Sequence, residues 1–181
     1  MSPHRPLSVS GLTEGLELRA TGAVFVAAVA LPWIIHFIPP ADGVTWGQRL
    51  LPMFIAPLIG VAFYPLHAGL IPALLAPVTN AMITGLRSGN LVLLLTVHLV
   101  VFTLLSNLAL RKRPTMWFAA PLAYLIGKGC AFVLMIIVPF LSAGGHGYSF
   151  SMESLWLSLP GILLLLLVNI GISRRGEPVP A

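Results

Sequence analysis

The stretch PLAYLIGKGCAFVLMIIVPFL, Pro121 to Leu141, reads as a helix made for hydrocarbon, yet it carries a cation, Lys128, near its middle. Placing a lysine at the centre of a membrane helix costs about 2.5–3.5 kcal/mol. Counted from Met116, its ammonium lies about 18 Å deep at 1.5 Å per residue. It is about as far from Leu141, so snorkelling brings the charge to neither interface. No Asp or Glu occurs in any apolar stretch; Asp42 and Glu153, in intervening loops, are the acids expected nearest to it. One helical face presents Pro121, Tyr124, Lys128, Phe132 and Met135 at spacings of three and four. A cation between two aromatic rings suits a flat, anionic ligand. The other reading is that Lys128 is neutral, or bonded to carbonyls that prolines free in another span. On the residues alone both stay open.

Other polar residues are candidates of lesser weight. His98 stands alone in NLVLLLTVHLVVFTLL, either as a packing residue or as a ligand donor. Asn80 falls near the outer end of its span and is a candidate ligand donor. Thr96, Thr103 and Asn107 share a face, where hydrogen bonds between helices are expected. His36, His67 and His98 are evenly spaced, which raises haem ligation, but axial ligands must meet at one depth. These three fall near the outer surface, the inner turn and the middle, so haem ligation is not expected. There is no G-x-S-x-G, no H-E-x-x-H and no Walker A sequence. No catalytic residue, metal site or cofactor is expected, and the chain is not read as an enzyme. The single cysteine, Cys130, provides neither a disulfide nor a metal set.

The elements that position these residues follow from composition. Of 181 residues, 57% are hydrophobic and 8% charged, and the mean hydropathy is +0.97. Soluble domains carry about a quarter charged residues. The fold class expected is therefore an all-α integral membrane protein. Ala20–Ile38, Asn90–Leu110, Met116–Leu141 and Ser154–Ser173 each suit one crossing, for which about 20 apolar residues are needed. Leu50–Gly85, dense in prolines, is short for two crossings and too long for one. Charge decides the count. Six spans put Arg5, Arg19, Arg111–Arg113, Arg174 and Arg175 on the cytoplasmic side, with only Arg49 and Arg87 outside. Five spans reverse this balance, so the positive-inside rule selects six, split near Tyr64–His67, with both termini cytoplasmic. The organisation read is a cytoplasmic N-terminal segment (1–19), a six-helix membrane domain (20–173) and a cytoplasmic tail (174–181). No cleavable signal peptide is expected. The net charge of +5 sits at helix ends and orients the protein in a lipid bilayer; it does not mark a nucleic-acid partner.

Small residues line the early spans: Ala23, Ala27 and Ala30 on one face, and the pair Ala56 and Gly60. They allow close helix approach, within the bundle or against a partner.

In its size, its six spans, its cytoplasmic termini and this A-x-x-x-A, the chain resembles the substrate-binding S component of energy-coupling factor (ECF) transporters. IAPLIGVAFYPLHAGLIPALLAPVTNAMITG is similar to the Pro/Gly-rich second and third helices of that family. AYLIGKGCAF is similar to the Gly-Arg-containing fifth helix of several members, with Lys128 where Arg is usual. The resemblance implies capture of a vitamin or related micronutrient outside a bacterial cytoplasmic membrane, and association with a T component and two ATPase subunits. The ligand is then expected among spans four to six, at Lys128, Tyr124, Phe132 and His98, with Asn80 and Trp46 as further contacts. The loop Pro39–Gln48, which carries Trp46, would close the site. Ala23 and Ala27 would form the coupling face. A small structural or assembly membrane protein, in which Lys128 and the alanines serve only packing, is the reading of a different class.

Overall fold

The structure, a computed structural model of the chain, describes residues 9–39, 46–85, 89–142 and 153–175. Their regular structure is helical throughout: α1 (Val9–His36), α2 (Trp46–Leu50), α3 (Pro52–Phe63), α4 (Leu66–Thr84), α5 (Gly89–Lys112), α6 (Ala119–Ile137), α7 (Glu153–Leu157) and α8 (Leu159–Arg175). A 3-10 turn, Pro139–Ser142, follows α6. Five segments are long and apolar enough to cross a membrane: Gly15–His36, Trp46–Phe63, Leu66–Thr84, Gly89–Lys112 and Ala119–Ile137. Leu159–Arg174 is apolar but shorter. Large apolar side chains point outward from these helices, among them Ile71, Leu104, Val133 and Leu167. In water that would be a liability, whereas lipid solvates it. The protein is an all-α, multi-pass membrane protein.

Prolines and one strained residue set the helix boundaries. The Pro-rich stretch divides at Tyr64–Pro65, within the interval read from the sequence. Its first part is broken once more, at Leu51, which adopts φ 52° and hands over to Pro52 at the first position of α3. A left-handed leucine is uncommon. Here the backbone of Arg49 and Leu50 packs onto Gly161 of α8, where an added Cβ would lie 2.7 Å from the Arg49 carbonyl oxygen. The span read as Met116–Leu141 is shorter as a helix, because Pro139 lacks the N–H to continue it and its predecessor Val138 leaves helical geometry. The span read as Ser154–Ser173 is broken at Ser158. Pro160 cannot donate to the carbonyl of Trp156, although Ile162 N still donates to Ser158 O (2.9 Å) across the break. Helix α1 begins at Val9, inside the segment read as separate from the membrane domain.

Close approach of backbones holds the bundle together, as expected where lipid removes the usual hydrophobic drive between helices. At the α3–α4 crossing, a Cβ on Gly60 would lie 2.9 Å from the Ala68 carbonyl oxygen, and one on Gly69 2.8 Å from that of Pro57. Ala56, with Val24, Ala28 and Ala76, fills the junction of α1, α3 and α4. The Ala56–Gly60 pair therefore packs within the bundle. The buried face of α1 is Thr21, Val24, Ala28 and Pro32; Ala23 is exposed and Ala27 half-buried.

The polar stripe on α5 requires a correction. Thr96 Oγ1 donates to Val92 O (2.8 Å) and Thr103 Oγ1 to Leu99 O (2.7 Å), while Asn107 Oδ1 accepts from Arg111 Nε (2.9 Å). All three bonds lie within the helix. Hydroxyls at helical positions reach the carbonyl four residues back without a partner helix.

Candidate ligand site

Lys128 is the central residue of the 19-residue α6, about 13.5 Å along the axis from either end. Its side chain is 5% exposed. The ammonium has three donors. Among the described residues one acceptor meets them, Ser154 Oγ of α7 at 2.7 Å. The Tyr124 ring centroid lies 5.9 Å from Nζ, a weak cation–π contact. No described carboxylate pairs with the lysine; Glu17 instead lies 3.6 Å from His67 Nε2, at the opposite end of the bundle.

An aromatic wall stands beside the cation. Phe54 of α3, His98 of α5 and Tyr124 of α6 meet with ring centroids 4.7–5.2 Å apart, and Phe102 closes on Phe54 from behind at 5.1 Å. Such edge and tilted pairings fix ring orientations. His98 is held further by Nε2, which donates to the Tyr124 carbonyl at 3.0 Å. Gly127 makes this possible: a Cβ there would lie 2.8 Å from His98 Cδ2 and 2.9 Å from the His98 carbonyl oxygen. The Tyr124 hydroxyl meets the Ser158 side chain, whose own proton goes to the Ser154 carbonyl (2.9 Å).

Between these groups lies a cavity of about 380 Å³, the size of a small-molecule site. Lys128, Tyr124 and His98 line it together with Ser154 and Ser158. Apolar surface comes from Leu51, Met53 and Phe54, and from Leu91 and Leu95 on α5. His36, Gly47 and Gln48 line it from the end of α1 and from α2. His36 is fixed by Nδ1, which donates to the Pro32 carbonyl at 2.7 Å. The cavity can thus offer one fixed cation, two hydroxyls and a flat aromatic surface to a solute with an anionic end and an apolar body.

Three residues expected at the site are placed elsewhere. Phe132 packs with Leu94, Ala131, Met135 and Leu141 and is not among the lining residues. Asn80 is buried, and its Nδ2 donates to Ala76 O (3.0 Å) in its own helix. Trp46 starts α2, where Nε1 donates to Pro39 O (2.9 Å) and the Arg49 guanidinium lies 5.6 Å from its ring; its neighbours Gly47 and Gln48 line the cavity instead. Asp42 and the loop 40–45 lie outside the described residues. Ser154, Ser158 and Phe54 were not read as site residues. The four-residue spacing of the two serines, which puts both on one helical face, was the available signal.

Compared with protein-family models, with curated proteins and with solved structures, the chain matches none.

Proposed function

We propose that this protein is the substrate-capture subunit of a membrane transporter, built like the S component of an ECF transporter, and that it takes up a small anionic micronutrient. Lys128 carries the reading: an ammonium at the middle of α6, with a single neutral acceptor among the described residues, opens into a cavity with room for a ligand. A bound carboxylate or phosphate would supply the missing counter-charge, and the Phe54–His98–Tyr124 wall would hold the apolar part. No chemistry on the solute is part of the proposal. Energy for uptake would come from a T component and two ATPase subunits, since the chain has no nucleotide-binding sequence of its own. Purification from the native membrane, with mass spectrometry of co-purifying proteins and small molecules, tests the assignment. ATPases and an organic anion are expected; recovery of neither would favour a structural or assembly role.

In this proposal the chain crosses a bacterial cytoplasmic membrane six times with both termini inside. The segment α7–α8 makes the sixth crossing, and the cavity faces outward. Cysteine-accessibility labelling on a Cys130→Ala background is expected to modify position 87 from outside and position 112 only from inside. Modification of position 112 from outside would contradict the topology.

The exposed Ala23 and half-buried Ala27 make the proposed docking face for the T component. Replacing both by leucine should abolish that association, because close helix approach needs short side chains. Ligand binding to the isolated subunit should survive. Loss of both together would make the face an internal packing seam.

A further inference from the structure

The turn joining α5 to α6 forms a second concave surface, at the end of the bundle away from Lys128. A groove of about 310 Å³ runs between the two helices, walled by Leu105, Leu108, Leu122 and Ile126, with Lys112 and Arg113 at its mouth. These two cations and Met116 also border an adjoining hollow of about 450 Å³ that reaches Thr115, Trp117 and Phe118. The surface is therefore apolar in the groove, cationic at the mouth, and aromatic beyond it. No acidic residue occurs between Leu105 and Ile126 to neutralise it.

The turn is built rather than merely exposed. Arg113 N donates to Ala109 O (2.8 Å), Met116 N to Arg113 O (2.9 Å) and Ala119 N to Met116 O (3.2 Å). Asn169, fully buried on α8, donates its Nδ2 to Met116 O (2.8 Å) and ties the turn to the bundle. Arg111 is occupied by Asn107 within α5, which leaves Lys112 and Arg113 at the groove. Trp117 and Phe118 pack edge to face at 5.3 Å and are half exposed, as aromatic residues are at a membrane interface. By that rule the cations fall at headgroup depth and the groove beside the acyl chains.

We infer that this surface is a binding site for an anionic glycerophospholipid. Its phosphate sits on Lys112 and Arg113, and one acyl chain lies in the Leu105–Leu108–Leu122–Ile126 groove. Basic pockets between membrane helices hold anionic headgroups by this combination of charge and depth. A free phosphate would satisfy the cations but leave the apolar groove without an occupant. A zwitterionic lipid would fill the groove but offset the attraction with its own cation.

The test is native mass spectrometry of the purified full-length protein in detergent, titrated with phosphatidylglycerol, phosphatidylcholine or inorganic phosphate. Phosphatidylglycerol is expected to be retained well above the other two. The double variant Lys112→Gln/Arg113→Gln should lower that retention about thirtyfold, for two charges removed near the surface, with phosphatidylcholine unaffected. Ala109→Leu, which intrudes on the groove, should lower retention with both cations in place. Thermal unfolding without lipid should be unchanged in the charge variant, whose altered side chains are exposed. Equal retention of the two lipids, or no effect of the charge variant, would overturn the inference. Inorganic phosphate bound as tightly as phosphatidylglycerol would make this a soluble-anion site and overturn it equally.

Discussion

Lys128→Met is expected to weaken binding of the captured anion by several hundredfold or more while the protein folds at least as well as the parent. The two effects have different origins. With ligand bound, the lysine is one half of a buried pair, and removing it strands the ligand's charge, at a cost of about 3–5 kcal/mol. Without ligand, the ammonium at the middle of α6 has a single hydroxyl acceptor among the described residues, so removing it should relieve about 2.5–3.5 kcal/mol of the insertion cost of a lysine at a membrane-helix centre. Methionine nearly matches the lysine stem and leaves little void. Lys128→Arg should be far milder, since it keeps the charge. Ligand affinity and thermal unfolding of the same preparations check both halves. Lowered stability with unchanged affinity would make Lys128 a structural residue.

The second large effect falls on the α5–α6 seam. Gly127→Val is expected to destabilise the protein by about 1–3 kcal/mol, the range for overpacking, and to degrade ligand binding with it. The added side chain would meet the His98 carbonyl, which is backbone and cannot swing aside. Pushing α5 away breaks the His98–Tyr124 bond and tilts the aromatic wall. Two residues along, Gly129 supplies the control, since a Cβ there meets nothing within 4 Å. Gly129→Val should leave unfolding temperature and affinity unchanged. Equal effects of the two substitutions in thermal melts would contradict the close packing at Gly127.

Much of the fold was legible because membrane helices obey simple constraints. Apolar length marked the spans, and Tyr64–Pro65 was visible as a break in a stretch too long for one crossing. The site was legible only where one helix carried the information. Lys128 and Tyr124 share a turn of α6, so spacing alone brought them together. Ser154 lies 26 positions from Lys128 on another helix, so its spacing from Ser158 marks a shared face but not what that face meets. Phe54 was equally silent, because a helix that is apolar all round shows no side turned to a cavity. Phe132 was placed one turn beyond Lys128 on the same stripe. Four residues advance a helix slightly more than one turn, and that drift carries its ring toward Leu94 and Met135. The Thr96–Thr103 stripe misled for another reason: sequence shows that a hydroxyl faces a given side, but not that it folds back on its own helix.

The central claim is that the Lys128 ammonium holds a ligand's anionic group inside the cavity. It is tested most directly by mass spectrometry of the small molecules released on denaturing equal amounts of folded wild-type and Lys128→Met protein, purified from the native membrane. An organic anion released by the wild type and missing from the variant, with the variant's unfolding temperature equal or higher, is the predicted result. The same anion in equal amount from both proteins, or none from either with a variant that melts lower, would contradict it.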